Sequence, residues 1–353
     1  MELEAEFSKT CGNFQLDIDL RTRADRVGIL GASGAGKSMT LKMLAGIMTP
    51  DRGRLRYNGR DLLDTGRRIN IKPQKRKIGY MFQNYALFPS MTVEGNIGAG
   101  ISGKTGDREK IIRQMVERFH LKGLEGQLPS ELSGGQQQRV AMARILASSP
   151  DMILLDEPFS ALDVHLRDRM QRELLNQLED YPGMVFMVSH NRDEIYRFSR
   201  EILIMDQGRI ICQGSREKVF KRPATKKAAA MTGCKNFSRA VRINDHSLRA
   251  ENWGLTIRTR KRVPEHIRFI GCRAHQFLPV WGQAEDNCIP FILDRKDQLP
   301  FEENYYIRPD RPEYEPEDVI SWFVQRDLWD TLSKRGLPDY LKIREEDILY
   351  FSE

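Results

Sequence analysis

The residues best suited to chemistry lie in one short stretch that reads Gly-Ala-Ser-Gly-Ala-Gly-Lys-Ser. Its G-x-x-x-x-G-K-S spacing is typical of a phosphate-binding loop, in which backbone N–H groups line a triphosphate. Glycine is needed where a Cβ would block the turn or the phosphate. Lys37 can reach the β- and γ-phosphates, and the Ser38 hydroxyl can ligate Mg²⁺. The stretch predicts a nucleoside triphosphate site made of Gly31, Ala32, Ser33, Gly34, Ala35, Gly36, Lys37 and Ser38.

The segments on either side of the loop favour this interpretation. Residues 26–30 form an apolar run suited to a buried strand, and residues 39–45 carry apolar residues at helical spacing before Gly46. A helix that begins at the loop adds the positive end of its dipole to the phosphate site. The alternative is a glycine-rich turn with a surface lysine, which does not account for the order of strand, loop and helix.

Further candidate residues follow two other apolar runs. Asp156 closes a run at residues 152–155 and can hold Mg²⁺ or its water, while Glu157 can polarise an attacking water as a general base. Two acids after a strand also fit a solvated turn, but their place downstream of a phosphate loop favours catalysis. His190 ends a run at residues 184–189, and ligands bind at strand ends in open α/β sheets. The alternative for His190 is a structural role.

A second helix start offers another anion site. Ser133, Gly134 and Gly135 precede a helical pattern at residues 140–147, so their N–H groups can face an anion. The plain alternative is a helix N-cap, which the serine also provides.

Composition favours two globular domains. The 353 residues are 30% charged and 40% hydrophobic, and the longest apolar runs are too short to cross a bilayer. No apolar N-terminal segment resembles a secretory signal. Five scattered cysteines without a C-x-x-C pair predict reduced thiols in the cytosol rather than disulfides or a zinc site. The net charge of +7 is dispersed and lacks an aromatic–basic pattern, so nucleic acid is not a predicted partner.

The order of the patterns predicts an α/β fold. Buried apolar strands alternate with helices, which indicates a mostly parallel sheet wrapped by helices. Alternating residues at 2–7 and 14–20 predict an antiparallel layer at its edge. A basic, alanine-rich segment marks a boundary, and beyond it short alternating segments predict a β-rich domain with one helix around residues 320–332. The predicted divisions are a domain at 1–222, a linker at 223–233 and a domain at 234–353.

The motifs occur in a fixed order along the chain: the phosphate loop, Gln83, Leu132-Ser-Gly-Gly-Gln136, Asp156-Glu157, Asp163 and His190. In this order they resemble the nucleotide-binding subunits of ATP-binding-cassette (ABC) transporters. The sequence is similar in particular to importer ATPases that drive uptake of molybdate, tungstate or sulfate. The cassette resemblance covers residues 1–220. Beyond it, residues 270–275 resemble the accessory oligosaccharide-binding-like (OB-like) β domain of these subunits.

The resemblance implies a P-loop NTPase cassette with a mostly parallel sheet, an antiparallel β layer and a helical subdomain, followed by a small OB-like domain. It implies an ATPase with ATP and Mg²⁺ as cofactors. The implied catalytic residues are Glu157, His190 at the γ-phosphate, and Gln83, which would sense Mg²⁺ and water and relay to the membrane partner. The implied metal site consists of Ser38, Gln83 and Asp156.

The resemblance also implies an active dimer with two nucleotides sandwiched between the chains. The γ-phosphate of the opposite subunit would be capped by Ser133, Gly134, Gly135 and Gln136. Asp163 is assigned to the same nucleotide site. One departure concerns the base, because many cassettes stack adenine on an aromatic residue whose aligned position here is Cys11. Phe14 lies close in the sequence and could substitute.

The implied partners are a second ATPase subunit, identical or paired, and an integral membrane permease contacted by residues 84–100. An extracytoplasmic solute-binding protein would act indirectly. The apolar residues of the permease-facing surface are Phe88, Pro89, Met91 and Val93. The alternative is an ordinary loop packed on its own core. The expected location is the cytoplasmic face of the cell membrane, as a peripheral protein.

The transported solute stays open at this point, because cargo selection in the family lies in the permease and its receptor. Molybdate, tungstate and sulfate are the first expectation, with polyamines, iron or sugars as alternatives. Two other classes are a cassette protein without a permease, such as a repair or translation factor, and an anion-sensing regulator. The former usually carries two cassettes or a long coiled-coil insertion, which the chain lacks. The latter would bind its ligand in the C-terminal domain.

Overall fold

A computed structural model gives the fold of residues 1–101, 105–160, 162–310 and 314–353. The chain divides into two compact units, Met1–Arg216 and Glu217–Glu353, and each unit has its own hydrophobic core. None of the helices that the structure describes has both the length and the apolar character needed to span a membrane.

The first unit contains the phosphate loop and the other motifs of the predicted nucleotide site. Its strands are β1 (Leu3–Cys11), β2 (Phe14–Thr22), β3 (Arg26–Gly31), β4 (Arg52–Tyr57), β5 (Arg60–Asp64), β6 (Ile69–Asn70), β7 (Ile78–Met81), β8 (Met152–Asp156), β9 (Met184–Ser189), β10 (Glu201–Asp206) and β11 (Arg209–Ser215). Its helices are α1 (Lys37–Ala45), α2 (Val93–Gly98), α3 (Thr105–Arg118), α4 (Gly134–Ala147), α5 (Val164–Leu178) and α6 (Arg192–Phe198).

Within the described residues, these eleven strands join into one sheet in the order β6-β5-β4-β1-β2-β11-β10-β3-β9-β8-β7. Strands β10, β3, β9, β8 and β7 run parallel to one another, whereas β11 pairs antiparallel with β10 and parallel with β2. All residues of β8 and β9 are buried, as expected for parallel strands covered on both faces. Strands β1, β2, β4, β5 and β6 pair antiparallel, and β2 alternates buried and exposed residues. The carboxyl ends of β7, β8, β9 and β3 therefore lie side by side.

Helix α1 packs against the parallel strands, and a buried arginine binds the carbonyl groups at its C-terminus. Arg76 is 2% exposed and donates to the carbonyl oxygens of Met43 and Leu44 at 2.9 and 2.8 Å. Burial lowers the pKa of the Arg76 guanidinium to about 10, so it stays charged at neutral pH. A cation at the C-terminus of a helix complements the helix dipole and satisfies its last carbonyls.

Helices α2, α3 and α4 pack on one another as the predicted helical subdomain. Helix α3 is amphipathic, and it buries Ile112 and Val116 on one face. The fold of the first unit matches the prediction of a mostly parallel sheet with an antiparallel layer and a helical subdomain.

The second unit is mostly β-structure. Its strands are β12 (Asn236–Asn244), β13 (Ser247–Ala250), β14 (Leu255–Arg258), β15 (Phe269–Cys272), β16 (Leu278–Val280), β17 (Cys288–Gln298), β18 (Glu302–Pro309), β19 (Ile320–Gln325), β20 (Tyr340–Lys342) and β21 (Leu349–Phe351). The remaining helices are α7 (Arg216–Lys221), α8 (Lys226–Met231) and α9 (Trp329–Arg335).

In the described part of this unit, the strands form two antiparallel sheets, β14-β13-β12-β15-β21 and β16-β20-β17-β18-β19. Trp253, Phe277 and Trp322 are buried in the shared core, and the rings of Tyr305 and Trp322 lie 5.1 Å apart. Such a small antiparallel β unit is consistent with the predicted OB-like fold.

Two local expectations differ from the structure. The predicted linker at 223–233 contains helix α8, which buries Ala228 and Ala229, and the units divide before it, after Arg216. The segment was predicted to be a linker because its lysines are typical of exposed chain, although two of its alanines are buried. The helix expected around residues 320–332 was wrong, because residues 320–325 form β19 and the helix α9 begins only at Trp329. Ile320, Trp322 and Val324 alternate as buried residues, which is the period of a strand.

Candidate nucleotide-binding site

The predicted phosphate loop connects the end of β3 to the start of α1. Gly36 is the N-cap of α1 with φ at 98°, a left-handed conformation that L-residues avoid. A Cβ at this glycine would also lie 2.5 Å from the side chain of Leu16. Helix α1 has no side chain that caps its N-terminus, so the first N–H groups of the helix remain open toward the loop. The loop can thus receive an anion through its backbone.

The Lys37 side chain is buried against the backbone of this loop. The residue is only 6% exposed, and its Nζ donates to the carbonyl oxygens of Gly31 and Ala32 at 2.9 Å each. Burial lowers the pKa of the ammonium, and the nearby Glu157 and Asp156 carboxylates oppose that shift. The two acceptors of the Lys37 ammonium, the Gly31 and Ala32 carbonyl oxygens, are neutral. The charged oxygens of a phosphate would bind the ammonium more strongly.

Asp156 closes β8 beside this lysine and accepts two hydroxyl groups. Ser38 Oγ donates to Asp156 Oδ1 at 2.7 Å, which joins two of the predicted metal ligands directly. Tyr80 on β7 donates to Asp156 Oδ2 at 2.8 Å. Burial, followed by the charge of Asp156, raises the pKa of the Tyr80 phenol, so the phenol stays protonated and is the donor. Tyr80 was missed in the sequence, where it is an ordinary apolar-face residue of a strand.

The donor set fits Mg²⁺. Ser38 and Asp156 supply hard oxygen ligands next to the phosphate loop, as Mg²⁺ prefers. In the parts of the chain that the structure describes, no three or more His, Cys, Asp or Glu residues gather into a metal cage. Mg²⁺ in nucleotide sites usually takes one or two protein ligands and completes its shell with phosphates and waters.

Glu157 and His190 form a direct pair at the ends of β8 and β9. His190 Nδ1 and Glu157 Oε2 lie 2.8 Å apart. A carboxylate can only accept, so Nδ1 carries the proton. Glu157 adopts a left-handed backbone with φ at 49°, and its N–H donates to the Val188 carbonyl at 3.1 Å. This sparsely populated conformation turns the carboxylate toward the strand ends, and such local strain clusters at functional sites.

Gln83 follows β7, on the other side of Asp156. It lines a cavity of about 500 Å³ together with Ser38, Lys42, Phe82, Asn84, Asp156 and Ser160. The Gln83 side chain is exposed, so it can reach a ligand in this cavity. The sequence-predicted residues Ser38, Gln83 and Asp156 therefore share one space.

Phe14 borders the other side of the phosphate loop. Its ring lies 3.2 Å from the position of a Cβ built on Gly36, and it lines a cavity of about 600 Å³ with residues 32–35. Cys11 is exposed and pairs with Phe14 across the turn between β1 and β2. Phe14 thus lies where a nucleotide base next to the loop can contact it.

The same cavity has a second wall that the sequence analysis missed. It comes from the turn between β10 and β11, where Asp206, Gln207 and Arg209 face the cavity. The Gly208 N–H donates to the carbonyl of Ala35 at 3.1 Å, so the turn supports the phosphate loop directly. A Cβ at Gly208 would lie 2.0 Å from the carbonyl oxygen of Gln15. Only glycine fits at this turn.

Among the described residues, the second predicted anion site lines neither of the two cavities beside the phosphate loop. Ser133 is the exposed N-cap of α4; its Oγ accepts from the Gln136 N–H, and Gln136 Oε1 accepts from the Ser133 N–H at 2.7 Å. Among the hydrogen bonds of the described residues, those of Ser133 and Gln136 do not join them to the phosphate loop. Asp163 is likewise an N-cap, and its Oδ1 accepts from the Leu166 N–H at 2.9 Å. Gly134 and Gly135 begin the α4 helix itself.

A family described as ABC transporter matches residues 15–160. The molybdate/tungstate import ATP-binding protein WtpC of Archaeoglobus fulgidus is 36% identical over 221 residues, which are 62% of this chain and 90% of the relative. The chain belongs to the ABC transporter family.

Other relatives have similar identity but greater length. The sulfate/thiosulfate import ATP-binding protein CysA 2 of Chromobacterium violaceum is 39% identical over 231 residues, which are 65% of this chain and 61% of that relative. Relatives named for import of spermidine/putrescine (Oleidesulfovibrio alaskensis) and of Fe(3+) ions (Pseudomonas fluorescens) are 38% and 40% identical, with 60% and 61% of their lengths covered. The chain therefore matches about three fifths of these relatives' length.

The fold comparison identifies the first unit as an ABC ATPase cassette. The ATP-binding cassette MJ0796, solved as a dimer in a post-hydrolysis state with ADP and Pi bound, matches with a TM-score of 0.51 and 26% identity. The match covers 61% of this chain and 99% of that one.

The surface that the sequence predicts to contact a permease is held in place by one buried side chain. Asn96 is fully buried; its Oδ1 accepts from the Phe88 N–H, and its Nδ2 donates to the carbonyls of Phe88, Met91 and Thr92. This network leaves Phe88 45% exposed and Met91 41% exposed. The expectation for Val93 was wrong, since this first residue of α2 is completely buried. Its helical phase turns it inward, so the exposed apolar groups are Phe88, Pro89 and Met91.

Proposed function

We propose that the chain hydrolyses ATP as the energising subunit of an ABC importer. The observation that carries this proposal is the convergence of Ser38, Asp156, Glu157 and His190 beside a phosphate loop whose buried lysine donates to neutral carbonyls. Binding, metal and base functions thereby meet at the ends of adjacent parallel strands, where ligands bind in open α/β sheets.

The residues divide the reaction between them. The loop N–H groups and Lys37 bind the β- and γ-phosphates. Ser38, Asp156 and Gln83 would hold Mg²⁺, and a bound Mg²⁺ would supply positive charge to the phosphates. His190 Nδ1–H fixes Glu157 Oε2, and Oε1 is left to accept a proton from the attacking water. Phe14 lines the cavity beside the loop and is the residue on which the base would pack.

The active unit in this proposal is a dimer. Among the described residues, Ser133 and the α4 N-terminus line neither cavity beside the phosphate loop, and we infer that they are available to a nucleotide held by another chain. The MJ0796 cassette was solved as a dimer, which supports the same arrangement here.

The proposed membrane partner is a permease that binds the exposed Phe88, Pro89 and Met91, with the chain peripheral on the cytoplasmic side. An exposed apolar cluster on a fixed backbone is suited to receive a helix from a partner. A receptor outside the membrane would act through that permease.

The proposed solute is an oxyanion such as molybdate, tungstate or sulfate. Support comes from the names of the molybdate/tungstate and sulfate/thiosulfate relatives, while polyamine and iron importers are the alternatives. The test reconstitutes the chain with the permease and the receptor whose genes lie beside its own. Phosphate release is then measured with molybdate, tungstate, sulfate, spermidine or Fe³⁺.

We expect the oxyanions to stimulate hydrolysis and the Glu157→Gln chain to give no stimulation. Stimulation only by spermidine or Fe³⁺ would refute the oxyanion assignment and retain the importer. An ATPase that neither co-purifies with the permease nor responds to any receptor would refute the importer itself.

A further inference from the structure

Tyr80 occupies a special position relative to Asp156. In the parallel pairing of β7 and β8, Tyr80 lies opposite Leu154, and Asp156 follows Leu154 by two residues. Residues two apart on a strand share one face and lie about 7 Å from each other. A tyrosine side chain on β7 is long enough to span this distance along β8 and reach the Asp156 carboxylate. Phenylalanine, leucine or methionine at this position would pack on the same face without a hydrogen bond.

The two carboxylate oxygens of Asp156 have separate donors. Ser38 Oγ donates to Oδ1 and Tyr80 Oη donates to Oδ2, at 2.7 and 2.8 Å. Asp156 is only 6% exposed, so water supplies little hydration to a charge that must remain ionised to hold a cation. Two donors on opposite oxygens fix the rotation of the carboxylate and satisfy its charge.

We propose that Tyr80 is a positioning residue for the metal site, which holds Asp156 Oδ2 so that Oδ1 is presented to Ser38 and the phosphate loop. This inference rests on the proposed function, because it assigns Mg²⁺ to Ser38 and Asp156. Tyr80 is not among the residues that line the two cavities beside the phosphate loop. Its ring lies 4.5 Å from the ring of Phe82, which fixes the tyrosine on the strand that leads to Gln83.

The test compares Tyr80→Phe with Tyr57→Phe. The control also removes a hydroxyl from a tyrosine of the same sheet, where Oη of Tyr57 donates to the carbonyl of Asp151 at 2.9 Å, outside the site. Mn²⁺ serves as the probe, because it accepts the oxygen ligands of Mg²⁺ and its binding is visible by electron paramagnetic resonance. The spectra are recorded on the full chain with a non-hydrolysable ATP analogue.

We expect Tyr80→Phe to weaken Mn²⁺ binding about tenfold, which is the effect of one lost hydrogen bond to a charged group. Affinity for the analogue in EDTA should equal that of the wild type. In hydrolysis assays, the Mg²⁺ concentration for half-maximal rate should rise while the rate at saturating Mg²⁺ stays within about twofold. Tyr57→Phe should change none of these values. Tyr80→Met, a second variant without the hydroxyl, should reproduce the loss.

Ser38→Ala separates the two hypotheses. If the wild type does not bind Mn²⁺ with the analogue, or if Ser38→Ala binds it equally well, the proposed function fails. If Ser38→Ala loses Mn²⁺ but Tyr80→Phe and Tyr80→Met bind it like the wild type, the role of Tyr80 is overturned alone. Equal losses in Tyr80→Phe and Tyr57→Phe would also overturn it, because they would indicate a general effect of a lost core hydroxyl.

Discussion

Two helices of the first unit begin in opposite ways at positions assigned to phosphate. Helix α1 starts from Gly36, which has no side chain, and its N-terminal N–H groups face the loop. Helix α4 starts from Ser133, whose hydroxyl and Gln136 form a complete capping box. The first helix start is ready for an anion in one chain. The second is closed on itself and exposed at the surface.

The difference indicates that the two helix starts have separate tasks. An open N-terminus beside a buried lysine is suited to bind phosphates within one chain. A capped N-terminus is stable without a ligand and is suited to meet a nucleotide when a second chain approaches.

The strongest test removes the lysine of the open start. Lys37→Ala should lower ATP affinity by about two decades or more and abolish hydrolysis, because the phosphates lose the buried ammonium of the loop. Isothermal titration calorimetry measures the affinity. Lys110→Ala, an exposed lysine on α3, is the matched control and should bind ATP normally. Normal binding by a folded Lys37→Ala chain would contradict the assignment of the loop.

Glu157→Gln tests the chemistry without removing the phosphate contacts. The amide keeps the shape of the side chain but cannot take a proton, so phosphate release should fall by about two decades or more. ATP binding should remain within a few-fold, and ATP-loaded dimers should accumulate in size-exclusion chromatography. Glu179→Gln, an exposed acid after α5, controls for loss of charge. If Glu157→Gln hydrolyses ATP at the normal rate, another residue is the base.

Much of the site follows from the sequence because it depends on local order. Three recognisable strands lead into the site: β3 into the loop, β8 into Asp156 and Glu157, and β9 into His190. Because these strands pair in parallel, their carboxyl ends lie together. Gln83 is placed by the same logic after β7.

Other contacts depend on tertiary packing that no local pattern contains. Tyr80 and Asp156 are distant in sequence, and only the register of β7 on β8 makes them partners. Val93 was misplaced because its apolar character does not reveal the phase of a short helix. The helix predicted around residues 320–332 includes strand β19, because periodicity alone does not separate a short apolar strand from a helix that follows it closely.

A mixed dimer tests whether the two helix starts belong to different chains at one site. A Lys37→Ala chain paired with a Ser133→Arg chain combines both lesions in one site and leaves the other intact. Arginine is large enough to occupy the space in front of the α4 N-terminus. These mixed dimers should trap nucleotide at one of their two sites, whereas each homodimer should trap little. Equal trapping in mixed dimers and homodimers, with heterodimers verified, would reduce Ser133 to a helix cap.

The smallest effect separates capping from nucleotide contact. Ser133→Ala should lower the free energy of unfolding by about 1 kcal/mol, since α4 loses its N-cap. Thr92→Ala is the matched control, because Thr92 caps α2 through the Gly95 N–H. Both variants should lose similar stability in urea, and only Ser133→Ala should also trap less ATP. Equal trapping by the two variants would contradict a phosphate contact for Ser133.

The bond between the Gly208 N–H and the Ala35 carbonyl has a consequence for how the protein is made. The phosphate loop leaves β3 early in the chain, but β3 lies between β9 and β10, and its loop is supported by the turn that follows β10. These contacts span most of the first unit, so the loop cannot be completed on a ribosome until that turn has emerged. Long-range pairing of this kind slows folding. Nucleotide binding by a nascent chain would therefore report that the whole cassette has been synthesised.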